Sequence, residues 1–222
     1  MSVVFTESCT APEIDKKEIF RYAGCAKPDS ALVSLVDECL FECEDKLSYK
    51  VCFAEFPIKP CGGTVEFPFM TAKSLGLSKN LDGCKSTVVF AATVGIGLDR
   101  LIAKYSRISP SRALIFQAIG AERIESLCNA FNRKTREKYE SLGMSLRPRF
   151  SPGYGDFALE HQADIFRALD CPRKIGLTLG GSLLMSPSKS VTAIIGVSDG
   201  KKGCGIENSC LSCGKTDCDF RR

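Results

Sequence analysis

The chain has 222 residues, 44% of them hydrophobic, enough to bury one large domain or two small ones. Its 30 basic and 26 acidic side chains leave a net charge of +4, which provides no electrostatic case for nucleic acid or a membrane surface as partner. The first residues carry acidic side chains without the apolar core of a signal peptide, and no run approaches the ~18 apolar residues of a membrane span. The expected location is therefore the cytoplasm, and the 13 cysteines are expected to be thiols or metal ligands rather than disulfides.

Residues 1–16 read as a loose lead-in, with structure beginning near Lys17. Between residues 29 and 44, Leu32, Leu35, Val36, Cys39, Leu40 and Cys43 fall on one helical stripe, with Asp29 or Ser30 as N-cap. Residues 47–56 and 64–69 read as short strands separated by Pro57, Pro60, Gly62 and Gly63, and residues 71–81 as a short helix. The near-continuous apolar run from Thr87 to Thr93 predicts a buried strand, from which Gly95 and Gly97 lead into a helix to about Tyr105. Ser109-Pro110 opens the longest helix, residues 111–139, whose charged second half is expected to leave the core. Alternation at Ile175, Leu177 and Leu179, and again at Val191, Ala193, Ile195 and Val197, predicts two half-buried strands. Helices and strands mixed without strict βαβ order indicate an α+β fold: one domain over residues 17–198, with a Cys-rich tail over 199–222.

Residues 147–163, RPRFSPGYGDFALEHQA, carry the most chemical information. Arg149 offers a planar fork for a carboxylate or phosphate, Pro152 fixes a backbone angle, and Gly153 lets the main chain approach a ligand. Tyr154 adds an aromatic face with a polar tip. An amino-acid carboxylate needs a bidentate cation, a sulfonium tolerates an aromatic face, and an adenine needs backbone donors and acceptors. Arg149, Tyr154 and the Gly153–Gly155 backbone contain all three. Taken alone, the same hexapeptide reads as an ordinary turn beside a surface arginine.

The order Arg149-x-x-Pro152-Gly153-Tyr154, then Glu160-His161, then Met185-x-Pro187-x-x-Ser190-Val191, resembles the S-adenosylmethionine-binding activation module of cobalamin-dependent methionine synthase. The resemblance runs from about Lys85 to Ser198 and includes the segment AERIESLCNAFNRKTRE. It implies a mostly antiparallel bent sheet with packed helices, and an accessory component rather than a complete enzyme. In such modules S-adenosylmethionine supplies the methyl group that, with an electron, restores methylcobalamin from cob(II)alamin. The implied partners are a cobalamin-binding methionine synthase supplied in trans and an electron donor. Arg149, Ser151, Gly153 and Tyr154 match the loop that holds S-adenosylmethionine, with Gly155 beside them, and Tyr154 is the residue expected to face the corrin. Two positions depart from the family. A glutamate that helps hold the ligand's amino group is replaced by Ser126, with Glu125 adjacent, and a tyrosine on the last strand is replaced by Ile195. A family aspartate near the N-terminus has no assigned counterpart, so the ammonium end of the ligand lacks a named partner.

His161, the only histidine, is expected to satisfy a local hydrogen bond, with a share in shaping the corrin-facing loop as the alternative. Cys204, Cys210, Cys213 and Cys218, spaced C-x5-C-x2-C-x4-C in a glycine-rich polar tail, suit a tetrahedral site for an iron-sulfur cluster or zinc, with unligated thiols as the third reading. Cys39 and Cys43 lie on an apolar stripe and read as buried thiols, as do Cys52, Cys61, Cys84, Cys128 and Cys171. Residues 133–149 hold six basic side chains against two acidic ones, a solvated face or a surface for an acidic partner. Two rival functions remain open: an activator or binding module for another corrinoid methyltransferase, and an iron-sulfur electron carrier that binds no S-adenosylmethionine.

Overall fold

The computed structural model describes residues 2–199. A five-stranded antiparallel sheet forms its centre, in the order β1 (Phe5–Ser8), β2 (Lys50–Pro57), β6 (Cys84–Thr93), β10 (Ser190–Asp199), β7 (Met144–Leu146). A small sheet of β3 (Lys59–Cys61), β4 (Thr64–Phe67) and β5 (Met70–Lys73) and a short pair, β8 (Thr178–Leu179) and β9 (Met185–Ser186), accompany it. The helices are α1 (Lys16–Tyr22), α2 (Ser30–Cys43), α3 (Leu75–Asn80), α4 (Gly97–Ile108), α5 (Pro110–Glu140), α6 (His161–Leu169) and α7 (Cys171–Ile175). The α+β class and the mostly antiparallel sheet are as expected.

The central strands are covered on both faces, because successive side chains point to opposite sides. On β6, Val89 and Ala91 join a core with α6, α7 and the small sheet, whereas Val88, Phe90 and Ala92 join one with α5. On β10, Ile194 faces the first core, and Ala193, Ile195 and Val197 face the second. The continuous apolar run predicted for β6 follows from this. The half-buried reading of residues 191–197 does not hold, since Thr192 to Ser198 are all buried. A third core unites α1, α2, α4 and the first half of α5.

Helix α5 is 31 residues long, about 46 Å at 1.5 Å per residue. Its second half stays on the sheet, contrary to expectation: Leu127, Cys128, Phe131, Thr135 and Tyr139 are buried. Spacings of three and four keep them on one face while Arg133, Lys134 and Lys138 occupy the other, so the charge marks only the outer surface. Where α5 passes α4, a Cβ on Gly120 would stand 2.5 Å from Leu98 Cδ2, so the close crossing requires glycine there.

Four further segments differ from the sequence expectation. The lead-in contributes β1, which pairs with β2 from Phe5↔Phe53 to Ser8↔Lys50. Residues 71–81 divide into β5 and α3, because Ser74 caps α3 by accepting from the Leu77 N–H at 3.0 Å. Residues 175–179 hold the end of α7, a turn at Gly176 with φ 70°, and the two residues of β8. Helix α6 was not expected, although Gln162, Ile165, Phe166 and Leu169 bury one helical face. Among the described residues no helix is long and apolar enough to cross a membrane.

Candidate functional site

The edge of β10 positions the loop. Beyond β7 the chain keeps following that strand: Arg147 N–H donates to Gly196 O at 2.9 Å, and Phe150 and Ile194 exchange two bonds of 2.8 Å. Extended backbone alternates its side chains. Phe150 therefore packs into the core with α6 and α7, and Arg149 turns to the opposite face, against α5, where its Nη2 meets Glu125 Oε2 at 2.5 Å.

The segment from Ser151 to Phe157 closes on itself. Gly153 N–H donates to Phe157 O at 2.8 Å, Tyr154 N–H to Ser151 O at 3.2 Å and Phe157 N–H to Tyr154 O at 3.0 Å. Gly153 at φ 90° and Gly155 at φ 55° adopt conformations that L side chains rarely tolerate. Pro152 and Phe157 are buried beneath the loop, and Tyr154 stands 67% exposed at its tip. Asp156 fastens the loop to α3, accepting from Ser74 Oγ at 2.5 Å and from the Leu75 and Gly76 N–H groups at 2.6 and 3.1 Å. The Ser74 hydroxyl, followed by those amides, holds the Asp156 carboxyl below its ordinary range.

His161 opens α6, stacks on Phe157 with ring centroids 5.3 Å apart, and places Nδ1 3.1 Å from Asp164 Oδ2. These contacts lie at the base of the loop, away from its exposed tip. Ser190 Oγ donates to Pro187 O at 2.8 Å and shares a hydrogen bond of 2.8 Å with the Thr93 hydroxyl, so the Pro187–Ser190 motif forms a turn at the start of β10.

The side of α5 facing α1 joins Glu125 and Ser126, already singled out in the sequence, to Asp15, Glu18 and Glu122, which were not. Asp15, Glu18, Glu122, Glu125 and Ser126 line a cleft of about 200 Å³. Glu122 accepts from Ser126 Oγ at 2.6 Å, from the Asp15 N–H at 3.2 Å and from Arg123 at 2.5 and 2.6 Å. Arg123, 2% exposed, also donates to Pro12 O and Glu13 O at 2.7 and 2.6 Å. This bonding folds the lead-in across α5 and brings Asp15, the N-cap of α1, to the cleft. An Asp directly before KKEIF was a legible capping signal. The long-range placement of Asp15 was not.

Carboxylates lining the cleft, with the Arg149 guanidinium behind Glu125, offer the two signs of charge that the ends of an amino acid need. Arg149 is paired only in part. Its Nη1 is buried with no hydrogen-bond partner among the described residues, and the Cys128 thiol, pushed up to about 12 by burial, lies alongside. Ile195, which the resemblance aligns with a tyrosine, is buried on the same face of the sheet.

Among the described residues no group of three or more His, Cys, Asp or Glu could hold a metal. The proposed ligands Cys204, Cys210, Cys213 and Cys218 lie outside the described residues. Cys39, Cys43, Cys52, Cys84, Cys128 and Cys171 are buried, as read from their pattern, but Cys61 is exposed, because it ends β3, a short strand at the edge of the small sheet. Cys52 and Cys171 share a hydrogen bond despite their distance in sequence, and that contact together with burial raises the Cys171 thiol.

No family model and no curated protein sequence matches the chain. Among solved structures it is similar to the crystal structure of the MetH reactivation domain bound to AdoHcy, with a TM-score of 0.68 and 15% identity over 87% of this chain and 78% of that one. The chain therefore has the fold of that domain.

Proposed function

We propose that the chain binds S-adenosylmethionine at the Arg149–Tyr154 loop and acts as a separate activation component for a cobalamin-dependent methionine synthase. The observation carrying this reading is that Glu125, which holds the Arg149 guanidinium from α5, also lines the cleft with Asp15 and Glu18. A zwitterionic amino-acid end needs both signs of charge side by side. The shared fold with a domain that holds AdoHcy supports the same ligand class here. Arg149 would hold the ligand carboxylate, Asp15 and Glu18 the ammonium, the Ser151–Gly155 backbone the adenosyl group, and the exposed Tyr154 ring the sulfonium or a corrin. His161 would keep the base of the loop in shape through Phe157.

When bound by the partner, cobalamin would accept the methyl group, and an electron donor would supply the reducing equivalent. The residues of this chain bind and orient the methyl donor; none is required as an acid or base. A metal centre in the cysteine tail belongs to the same reading and rests on the C-x5-C-x2-C-x4-C spacing alone. Calorimetric titration with S-adenosylmethionine tests the core of the proposal: saturable one-to-one binding is expected, and no heat at millimolar ligand would refute it. Cobalamin-loaded methionine synthase in its cob(II) form should then retain the protein on a column, and the methylcobalamin form should release it.

A further inference from the structure

Arg149 lies behind Glu125. The cleft is lined by Glu125 but not by Arg149, and the Glu125 carboxylate already holds Nη2 of that arginine. The guanidinium is about one-quarter exposed, its Nη1 is enclosed without a partner among the described residues, and Glu125 is 30% exposed. A carboxylate entering the cleft therefore meets a like charge first, and can reach Arg149 only by taking the position of Glu125.

We propose that Glu125 is a specificity-determining residue that makes the cleft accept zwitterionic amino-acid ends and reject simple carboxylates. This inference rests on the proposed ligand class and adds the residue that selects within it. The exchange is balanced in charge when the ligand carries both groups. Its carboxylate replaces Glu125 on Arg149 and engages the second, unpaired nitrogen as well, while the displaced Glu125 turns to the incoming ammonium. With a carboxylate alone, the same exchange leaves Glu125 unpaired beside Asp15, a cost that weakens binding; Glu18 adds less, because Arg21 holds both of its oxygens at 3.1 and 2.8 Å. With an ammonium alone, Glu125 stays on Arg149 and the gain is limited to Asp15 and Glu18. Glu125 thus acts through repulsion as much as attraction. Its partly exposed side chain, held by Arg149, has room to move, whereas Glu122 is held by Arg123, Ser126 and the Asp15 amide.

The test compares two ligands that differ by the ammonium group: S-adenosylhomocysteine and its desamino analogue S-adenosyl-4-thiobutyrate. The protein as it stands should prefer the first by roughly a hundredfold, and Glu125→Gln should reduce that preference to about tenfold or less, chiefly by tightening the analogue. A second measurement needs no ligand. Arg149 should be labelled by phenylglyoxal several-fold faster in Glu125→Gln, read by peptide mass spectrometry, with Arg147 as internal reference. An unchanged preference or an unchanged labelling rate overturns the role of Glu125 while leaving ligand binding intact. If neither adenosyl compound binds to any form of the protein, the ligand class itself is refuted, and no selection by Glu125 survives it. Glu125→Ala repeats both measurements, so a folding defect in either variant is recognised by disagreement between the two.

Discussion

Two arginine–glutamate pairs, one within α5 and one joining α5 to the loop, differ in completeness. Arg123 and Glu122 are each 2% exposed, and Arg123 also bonds two backbone carbonyls of the N-terminal segment. Arg149 and Glu125 are 24% and 30% exposed, with one guanidinium nitrogen lacking a partner among the described residues. The residue types are the same, but the first pair is saturated and the second is not. A saturated buried pair fixes structure, because removing one partner strands the other. An incomplete pair near solvent can exchange partners at little cost, which a binding site requires.

The comparison yields graded expectations. Arg123→Ala should destabilise the protein by about 3 to 5 kcal/mol, the usual cost of breaking a buried pair, read from urea unfolding. A loss below about 1 kcal/mol would place this pair with the surface ones. Arg149→Ala should weaken S-adenosylmethionine binding by about 1.5 to 3 kcal/mol, the range for a hydrogen bond to a charged group. Its effect on stability should stay below about 1 kcal/mol, since Glu125 can rehydrate. Ser126→Ala, which removes one bond to Glu122 and leaves Arg123 in place, should cost about 1 kcal/mol and scarcely alter ligand affinity.

The smallest effect concerns pH. Asp156 has a depressed carboxyl pKa in the folded protein. Its fastening of the loop to α3 is therefore fully present above the unfolded carboxylate value of ~3.9 and is lost as pH falls through the lower folded value. Hydrogen exchange at the Leu75 and Gly76 amides should accelerate in acid below that window. In Asp156→Asn these amides should exchange faster at neutral pH and lose most of that acid dependence.

Much of the fold was legible where local pattern and tertiary role agree. The stripe of α2, the apolar run of β6 and Ser109-Pro110 at the start of α5 each follow from one-dimensional periodicity or capping. The errors arose where long-range contact decides. Phe5 to Ser8 form a strand only because β2 offers an edge, and Thr192 to Val197 are buried on both faces only because helices cover each side of β10. At the proposed site, the Arg-x-x-Pro-Gly-Tyr segment brought Arg149 and Tyr154 forward as candidates. Asp15 and Glu122 were not legible, since their meeting depends on hydrogen bonds spanning more than a hundred residues. Charge on the second half of α5 misled because the spacing of Phe131, Thr135 and Tyr139 beneath it carries the burial.

The chain from Leu146 to Phe150 also carries one residue more than the strand it follows. Leu146 stands opposite Val197 and Phe150 opposite Ile194, so four steps on this edge match three on β10, and Leu146 and Phe150 face opposite cores although they are four residues apart. The surplus residue is a local slip in the count, absorbed between Leu146 and Arg149. Deleting one residue there should leave a regular edge with Arg149 still toward α5 and Phe150 still toward α6. Deleting two should reverse both, sending an arginine into apolar packing and a phenylalanine toward the acidic cleft.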